Sequence, residues 1–175
     1  EHVIKSLKEQ SAPIDAFGVG TALTTGKGAG ALDGVYKISM VDGTPTLKVS
    51  ENVRKSNLPG KKSIFRFRND QGKFVADGIF LDGEKESGTL HHPYEQGKSS
   101  DVSGYRREQI NGRVMEKGKA LGEKKTPGQI AERVRSRLGD LPLEHKRFMN
   151  PHLYKVGISS QLLEMRDDLR KKKMK

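Results

Sequence analysis

The stretch Ile14-Asp15-Ala16-Phe17-Gly18-Val19-Gly20-Thr21 constrains this chain more than any other. A short apolar run ends in Gly-x-Gly-Thr and opens into residues 22–33, a flexible loop of glycines and small side chains. The pattern predicts a strand over 14–17 that empties into an anion-binding turn. Glycines let the backbone approach an anion and turn its N–H groups inward, and a Thr hydroxyl adds a donor. At the end of a barrel strand such a turn is a common phosphate site. The spacing matches neither Gly-x-Gly-x-x-Gly nor a P-loop, so an ordinary strand-to-loop turn is the alternative. The candidate phosphate-binding residues are Gly18, Val19, Gly20 and Thr21. Lys37, on the next expected strand, is a candidate source of charge, whereas Lys27 reads more simply as a solvent-facing lysine.

Before this stretch, Val3, Ile4 and Leu7 share one helical face, and Pro13 forbids continuation. No N-cap precedes them. The helix is therefore expected to begin before residue 1, and the chain to be the carboxyl part of something longer. Helix, short loop, then strand into a glycine turn is the repeating unit of an α/β barrel or doubly wound sheet. After residue 33 the period becomes two. Val35 to Val41 and Thr46 to Ser50 predict a hairpin about Asp42-Gly43. Ser63 to Arg68 and Lys73 to Leu81 predict a second about Asn69-Asp70-Gln71-Gly72. Residues 82–125 read as polar and irregular. Thr126-Pro127-Gly128-Gln129 is a capping box with Pro at the first helical position. It opens a helix bearing Ile130, Val134 and Leu138, with Gly139 placed to stop it. A brief strand is expected within 153–158, then a last helix capped by Ser159 or Ser160.

Only 33% of the 175 residues are hydrophobic, with 6 Phe, 4 Tyr and no Trp. A core is possible but thin: either the chain is partly extended or disordered, or, as the patterned elements favour, it buries apolar surface against something outside itself. The formal charge is +11, which points to acidic or phosphorylated partners or to a solvated basic surface. Arg170 to Lys175 reads as a solvated helix end. The absence of cysteine excludes disulfides, thiolate zinc sites and a cysteine nucleophile. No apolar stretch is long enough to span a membrane, and a cytoplasmic location is expected.

Other clusters carry less. His91 and His92 are adjacent and suit one metal poorly, and no acid or third histidine stands at ligand spacing, so no metal site is expected. His152 is expected to play a structural part. No catalytic residue is assigned. Arg66, Arg68 and Lys73, interleaved with Phe65, Phe67 and Phe74, suggest either an RNA-binding sheet face or a half-buried hairpin with aromatics inside and basic groups out. A small basic RNA-binding module is therefore the alternative function.

The opening stretch, followed by Ala31-Leu32-Asp33-Gly34-Val35-Tyr36-Lys37, resembles the carboxyl part of nicotinate phosphoribosyltransferase. Further motifs agree in order: Lys48-Val49-Ser50, Leu58-Pro59-Gly60-Lys61-Lys62, Leu90-His91-His92-Pro93, Leu141 to Arg147 and Asn150 to Ser159. Asp33 departs from the family's usual Gly. The resemblance implies formation of nicotinate mononucleotide from nicotinate and phosphoribosyl pyrophosphate, coupled to ATP hydrolysis with Mg2+. It implies a homo-oligomer with the active site between subunits, and assigns Gly18, Gly20 and Thr21 to the ribose 5-phosphate. Nucleic acid is then not an expected partner. Groups that grip nicotinate and pyrophosphate belong to upstream parts of the family, so this chain alone is expected to be inactive and to need the upstream part or a second chain. The expected fold is α/β: the last helix, strand and phosphate loop of an irregular α/β barrel over 1–32, β-rich hairpins over 33–82, an irregular linker over 83–125 and a C-terminal helical segment over 126–175.

Overall fold

The computed structural model describes residues 2–26, 34–50, 55–85 and 87–173. The chain divides into two compact units, residues 1–36 and 37–175.

In the first unit the expected opening helix is α1 (His2–Glu9). It closes through Ala12 N–H donating to the Leu7 carbonyl at 3.0 Å, with Ser11 in the left-handed region at φ 53°. The strand expected over 14–17 does not form. The segment from Ile14 to Gly20 joins no ladder, and the Ile14 N–H donates only locally, to the Ala12 carbonyl at 2.7 Å. A strand exists by pairing, and the described elements of this unit are both helices. A short helix, α2 (Thr21–Thr24), follows. No barrel closes among the described residues. Lys27 and Asp33 lie outside the described residues.

The second unit begins with a hairpin shorter than expected. Only β1 (Met40–Val41) and β2 (Thr44–Pro45) pair. Its turn is the one the sequence called for, with Asp42 and Gly43 both at positive φ, 47° and 77°, as a type I′ turn requires. The flanking chain is held instead by single bonds: Asn57 donates to the Ile38 carbonyl and accepts from the Lys48 N–H.

The main sheet is built around β3 (Lys62–Arg68) and β4 (Phe74–Leu81), the second expected hairpin. Asn69 closes its turn by accepting from the Lys73 N–H at 2.9 Å, with Gly72 at φ 74°. Residues 83–125 are not irregular. They supply β5 (Thr89–His91), β6 (Ser99–Asp101) and β7 (Arg106–Gln109), and a small separate hairpin of β8 (Met115–Glu116) and β9 (Lys119–Ala120). After helix α3 (Pro127–Asp140) comes β10 (Lys155–Ile158), then helix α4 (Ser160–Lys173). The sheet order is β6-β5-β10-β4-β3-β7, with β10 parallel to β4 and the other neighbours antiparallel.

Pleating gives the sheet two faces. On one, Phe67, Ala76, Phe80, Leu90 and Val102 form the core, with Phe65 against it; Phe65 meets Phe80 edge to face at 5.5 Å. Gly78 and Gly157 lie side by side across the β4–β10 ladder. A Cβ at Gly157 would stand 2.7 Å from the Leu90 Cβ, and one at Gly78 2.7 Å from Leu90 Cδ2. The two glycines thus leave the slot that Leu90 fills. The other face carries Arg66, Arg68, Phe74 and Asp77 at one end. At the other, α4 packs on β4 and β5 and buries Leu162. Ser159, fully buried, caps α4: its hydroxyl accepts from the Leu162 N–H at 3.2 Å and donates to Glu84 at 2.6 Å.

Candidate functional site

The glycine turn singled out in the sequence lies in the first unit. Gly18, Val19, Gly20 and Thr21 are exposed. Among the described residues none of their N–H groups finds an acceptor, while the Gly20 carbonyl accepts from Leu23 and Thr24 at 3.0 and 3.2 Å. A Cβ built on Gly18 or Gly20 meets no atom within 4 Å. The turn therefore presents free donors and open space, which is what an anion cradle requires before it is filled. Lys37 belongs to the second unit and is not on a strand. Its ammonium donates to the Lys55 carbonyl.

A second constellation, spread too widely in sequence for local reading, sits on the sheet face away from the core. Register places Arg66 beside both Asp77 and Glu108. Arg66 holds Asp77 in a two-pronged pair at 2.9 and 2.8 Å, and the Tyr154 hydroxyl donates to the same carboxylate at 3.1 Å. Burial pushes the Tyr154 phenol well above its usual value, and the charge on Asp77 adds to this. Arg68 donates to Glu108 at 3.0 Å, to Asp140 at 2.8 Å and to the Gly72 carbonyl at 2.7 Å. Arg137 of α3 grips the other side of Glu108, one bond measuring 2.9 Å. The guanidinium groups of Arg66 and Arg68 lie 4.3 and 4.5 Å from the centre of the Phe74 ring.

Glu108 is held down to about 2, chiefly by the hydrogen bond from Arg137, against opposing desolvation and with Arg68 adding to the effect. Its folded value lies below its ordinary 4.5, so folding favours the carboxylate. Its contribution to stability is present above about pH 4.5 and is lost as the pH falls through about 2. Denaturant melts across this window are expected to show Glu108→Gln losing less stability with acid than the parent. Parallel pH profiles would remove the network from the acid response.

The RNA-platform reading is not favoured: Phe67 lies in the core on the opposite face, Phe74 is buried, and Arg66 and Arg68 are engaged by carboxylates. The expected simple hairpin needs correction too, because Phe74 lies on the arginine face, beneath Arg66 and Arg68.

The histidines are occupied structurally. His91 Nε2 pairs with the Ser160 hydroxyl at 2.9 Å. His92 Nδ1 accepts from the Tyr94 and Glu95 N–H groups. The His152 carbonyl sits 2.8 Å from His145 Nδ1. Among the described residues no three His, Asp or Glu side chains cluster as metal ligands do, and no helix is long and apolar enough to cross a membrane.

A model of the nicotinate phosphoribosyltransferase C-terminal domain matches residues 61–166, from β3 into α4. This chain belongs to the nicotinate phosphoribosyltransferase family. The Caenorhabditis elegans nicotinate phosphoribosyltransferase is 32% identical over 170 residues, covering 94% of this chain and 30% of the relative. The Bacillus subtilis protein of the same name is 31% identical over 168 residues, covering 91% and 34%. The crystal structure of human nicotinic acid phosphoribosyltransferase superposes with a TM-score of 0.63 at 24% identity, over 85% of this chain and 30% of that one. This last likeness speaks for the fold. The chain thus spans about a third of the length of the curated family members it matches.

Proposed function

We propose that this chain forms the carboxyl-terminal part of a nicotinate phosphoribosyltransferase, serving NAD biosynthesis in the cytoplasm. The observation that carries this reading is the family match over 61–166, joined to curated relatives of one name that cover 94% of the chain. In the reaction, the nicotinate ring nitrogen attacks C1 of the ribose. The C1–oxygen bond breaks, pyrophosphate leaves with the bonding electrons, and nicotinate mononucleotide forms. Charge builds on the ribose and on the leaving group, so the protein's work is largely positioning and electrostatics.

The part of this chain is to anchor the ribose 5-phosphate at Gly18, Val19, Gly20 and Thr21. Free, exposed N–H donors and the room above both glycines support the assignment. The first unit then belongs to the barrel of the complete enzyme, where Ile14 to Phe17 gains the strand neighbours it lacks here. The site is completed by the upstream part of the enzyme or a second chain, at an interface between subunits of a homo-oligomer, and this chain by itself has no activity. ATP hydrolysis and Mg2+ accompany the reaction by family analogy. The described residues offer no ligand cluster that fits the metal, and no step is assigned to it on this chain.

Replacing Gly20 by valine in the complete native protein tests the anchor. A Cβ there meets no described atom within 4 Å, but Gly20 sits at φ -106° and ψ -121°, outside the regions valine favours, so a thermal melt must show the variant folded before its affinity is read. Affinity for phosphoribosyl pyrophosphate is expected to fall tenfold or more, the equivalent of about one charge-assisted hydrogen bond. Unchanged affinity would remove the turn from the site.

A further inference from the structure

The apolar stripe of α3 is only half covered. Ile130, Val134 and Leu138 recur every fourth residue yet stay 43%, 47% and 49% exposed, and α3 buries no residue completely. An amphipathic helix ordinarily turns such a stripe to a core. Here the polar ties between α3 and its surroundings come from its C-terminal half: Arg137 to Glu108, Arg68 to Asp140, Lys73 to the Gly139 carbonyl and Lys146 to the Leu138 carbonyl. Between the stripe and the sheet runs an open groove of about 620 Å³, walled by Phe74, Ile110, Val134, Leu138 and Leu141. Most of its charges are neutralised in place by the Arg66–Asp77 and Arg137–Glu108 pairs. Arg133 at its wall is exposed and has no acidic partner among the described residues.

We infer that this groove is the docking surface for a polypeptide segment of the enzyme lying outside these 175 residues, one that presents apolar side chains to Val134 and Leu138 and a carboxylate to Arg133. The inference rests on the proposed function, and three observations select this occupant. The stretch matched in the C. elegans relative is only 30% of that protein, so most of an enzyme of this kind is chain of another part. Among the described residues the groove has apolar walls and one cation without an acidic partner. The whole stretch carries +11, which an acidic neighbour offsets. A half-covered apolar strip beside such a charge is the mark of a protein interface.

The chain has no cysteine, so single cysteines report the face directly. In the complete native protein, with any cysteines outside this stretch replaced, Val134→Cys is expected to react with a maleimide at least tenfold more slowly than Ser136→Cys on the far side of α3. Adding Arg133→Glu is expected to raise the Val134→Cys rate at least threefold. Both positions are exposed in this chain, and circular dichroism checks that each variant keeps its fold. Equal rates at the two positions would overturn the inference. So would shielding of Val134→Cys in a protein whose intact mass shows only copies of this 175-residue chain, which would make a second copy the occupant. Failure of the inference is separable from failure of the functional reading: a long enzyme that forms nicotinate mononucleotide yet labels freely at Val134→Cys rejects the inference alone.

Discussion

Gly157→Ala is expected to destabilise the protein by about 3 kcal/mol, near the upper end of overpacking costs in a filled core. The new Cβ would lie 2.7 Å from the Leu90 Cβ and 3.2 Å from the His91 carbonyl oxygen. Neither is the free end of a flexible side chain. Leu90 cannot swing aside, because it is 3% exposed and packed within the core cluster. Relief would require β5 to move away from β10, and their register holds there through Ile158 and His91. For a chain of this size the loss corresponds to a melting temperature lower by about 9 °C. Gly112→Ala is the control: a Cβ there meets nothing within 4 Å, and its effect is expected to stay within about 0.5 kcal/mol. A Gly157→Ala protein that melts with the parent would mean that the close β4–β10–β5 packing is wrong.

The second large effect is expected from Arg68→Met. The guanidinium is only 10% exposed and binds Glu108, Asp140 and the Gly72 carbonyl at once. Methionine retains much of the packing against Phe74 but leaves these acceptors without that donor. Removing one partner of a buried pair costs about 3–5 kcal/mol. Glu108 is 34% exposed and keeps Arg137, so water and the second arginine reduce the loss to about 2 kcal/mol. Asp140, 36% exposed, is reached by water to the same degree. Combining Arg68→Met with Glu108→Gln is expected to give less than the sum of the single losses, because the two groups meet directly. Arg135→Met supplies the contrast. Its pair with Glu132 is 73% and 74% exposed, and denaturant melts are expected to show almost no change. Equal losses for Arg68→Met and Arg135→Met would contradict the clamp that ties α3 to the sheet.

These cases separate what was legible in the sequence from what was not. Local chemistry read correctly. Thr126 and Gln129 form the reciprocal capping box, Asp42-Gly43 makes the hairpin turn, and Ser159 caps the last helix. Each depends on residues within four positions of one another. The α3 helix ran one residue past Gly139, to Asp140, where Arg68 holds it. Pairing between distant segments did not read. Strands β5 and β6 have three residues each and β7 four, too short and polar for alternation to show. They exist because β10 and β3 offer them edges. The Arg68–Glu108–Arg137 cluster follows from that same register and was invisible for the same reason. The opposite error occurred at Ile14 to Phe17, where apolar composition suggested a strand but no neighbour is present to pair with it. The sequence showed a thin core but did not single out α3, whose Ile130, Val134 and Leu138 stay 43%, 47% and 49% exposed. The family resemblance, carried by ordered motifs over nearly the whole chain, proved the most informative signal, and it placed the chain in its family more firmly than any single motif located a site.

The central claim is that this chain completes a nicotinate phosphoribosyltransferase. The direct test is to purify the native protein with whatever chain it continues into or copurifies with, and to supply nicotinate and phosphoribosyl pyrophosphate with ATP and Mg2+. The account predicts nicotinate mononucleotide and pyrophosphate in equal amounts from the complete protein. Absence of nicotinate mononucleotide from the intact, folded assembly would contradict it.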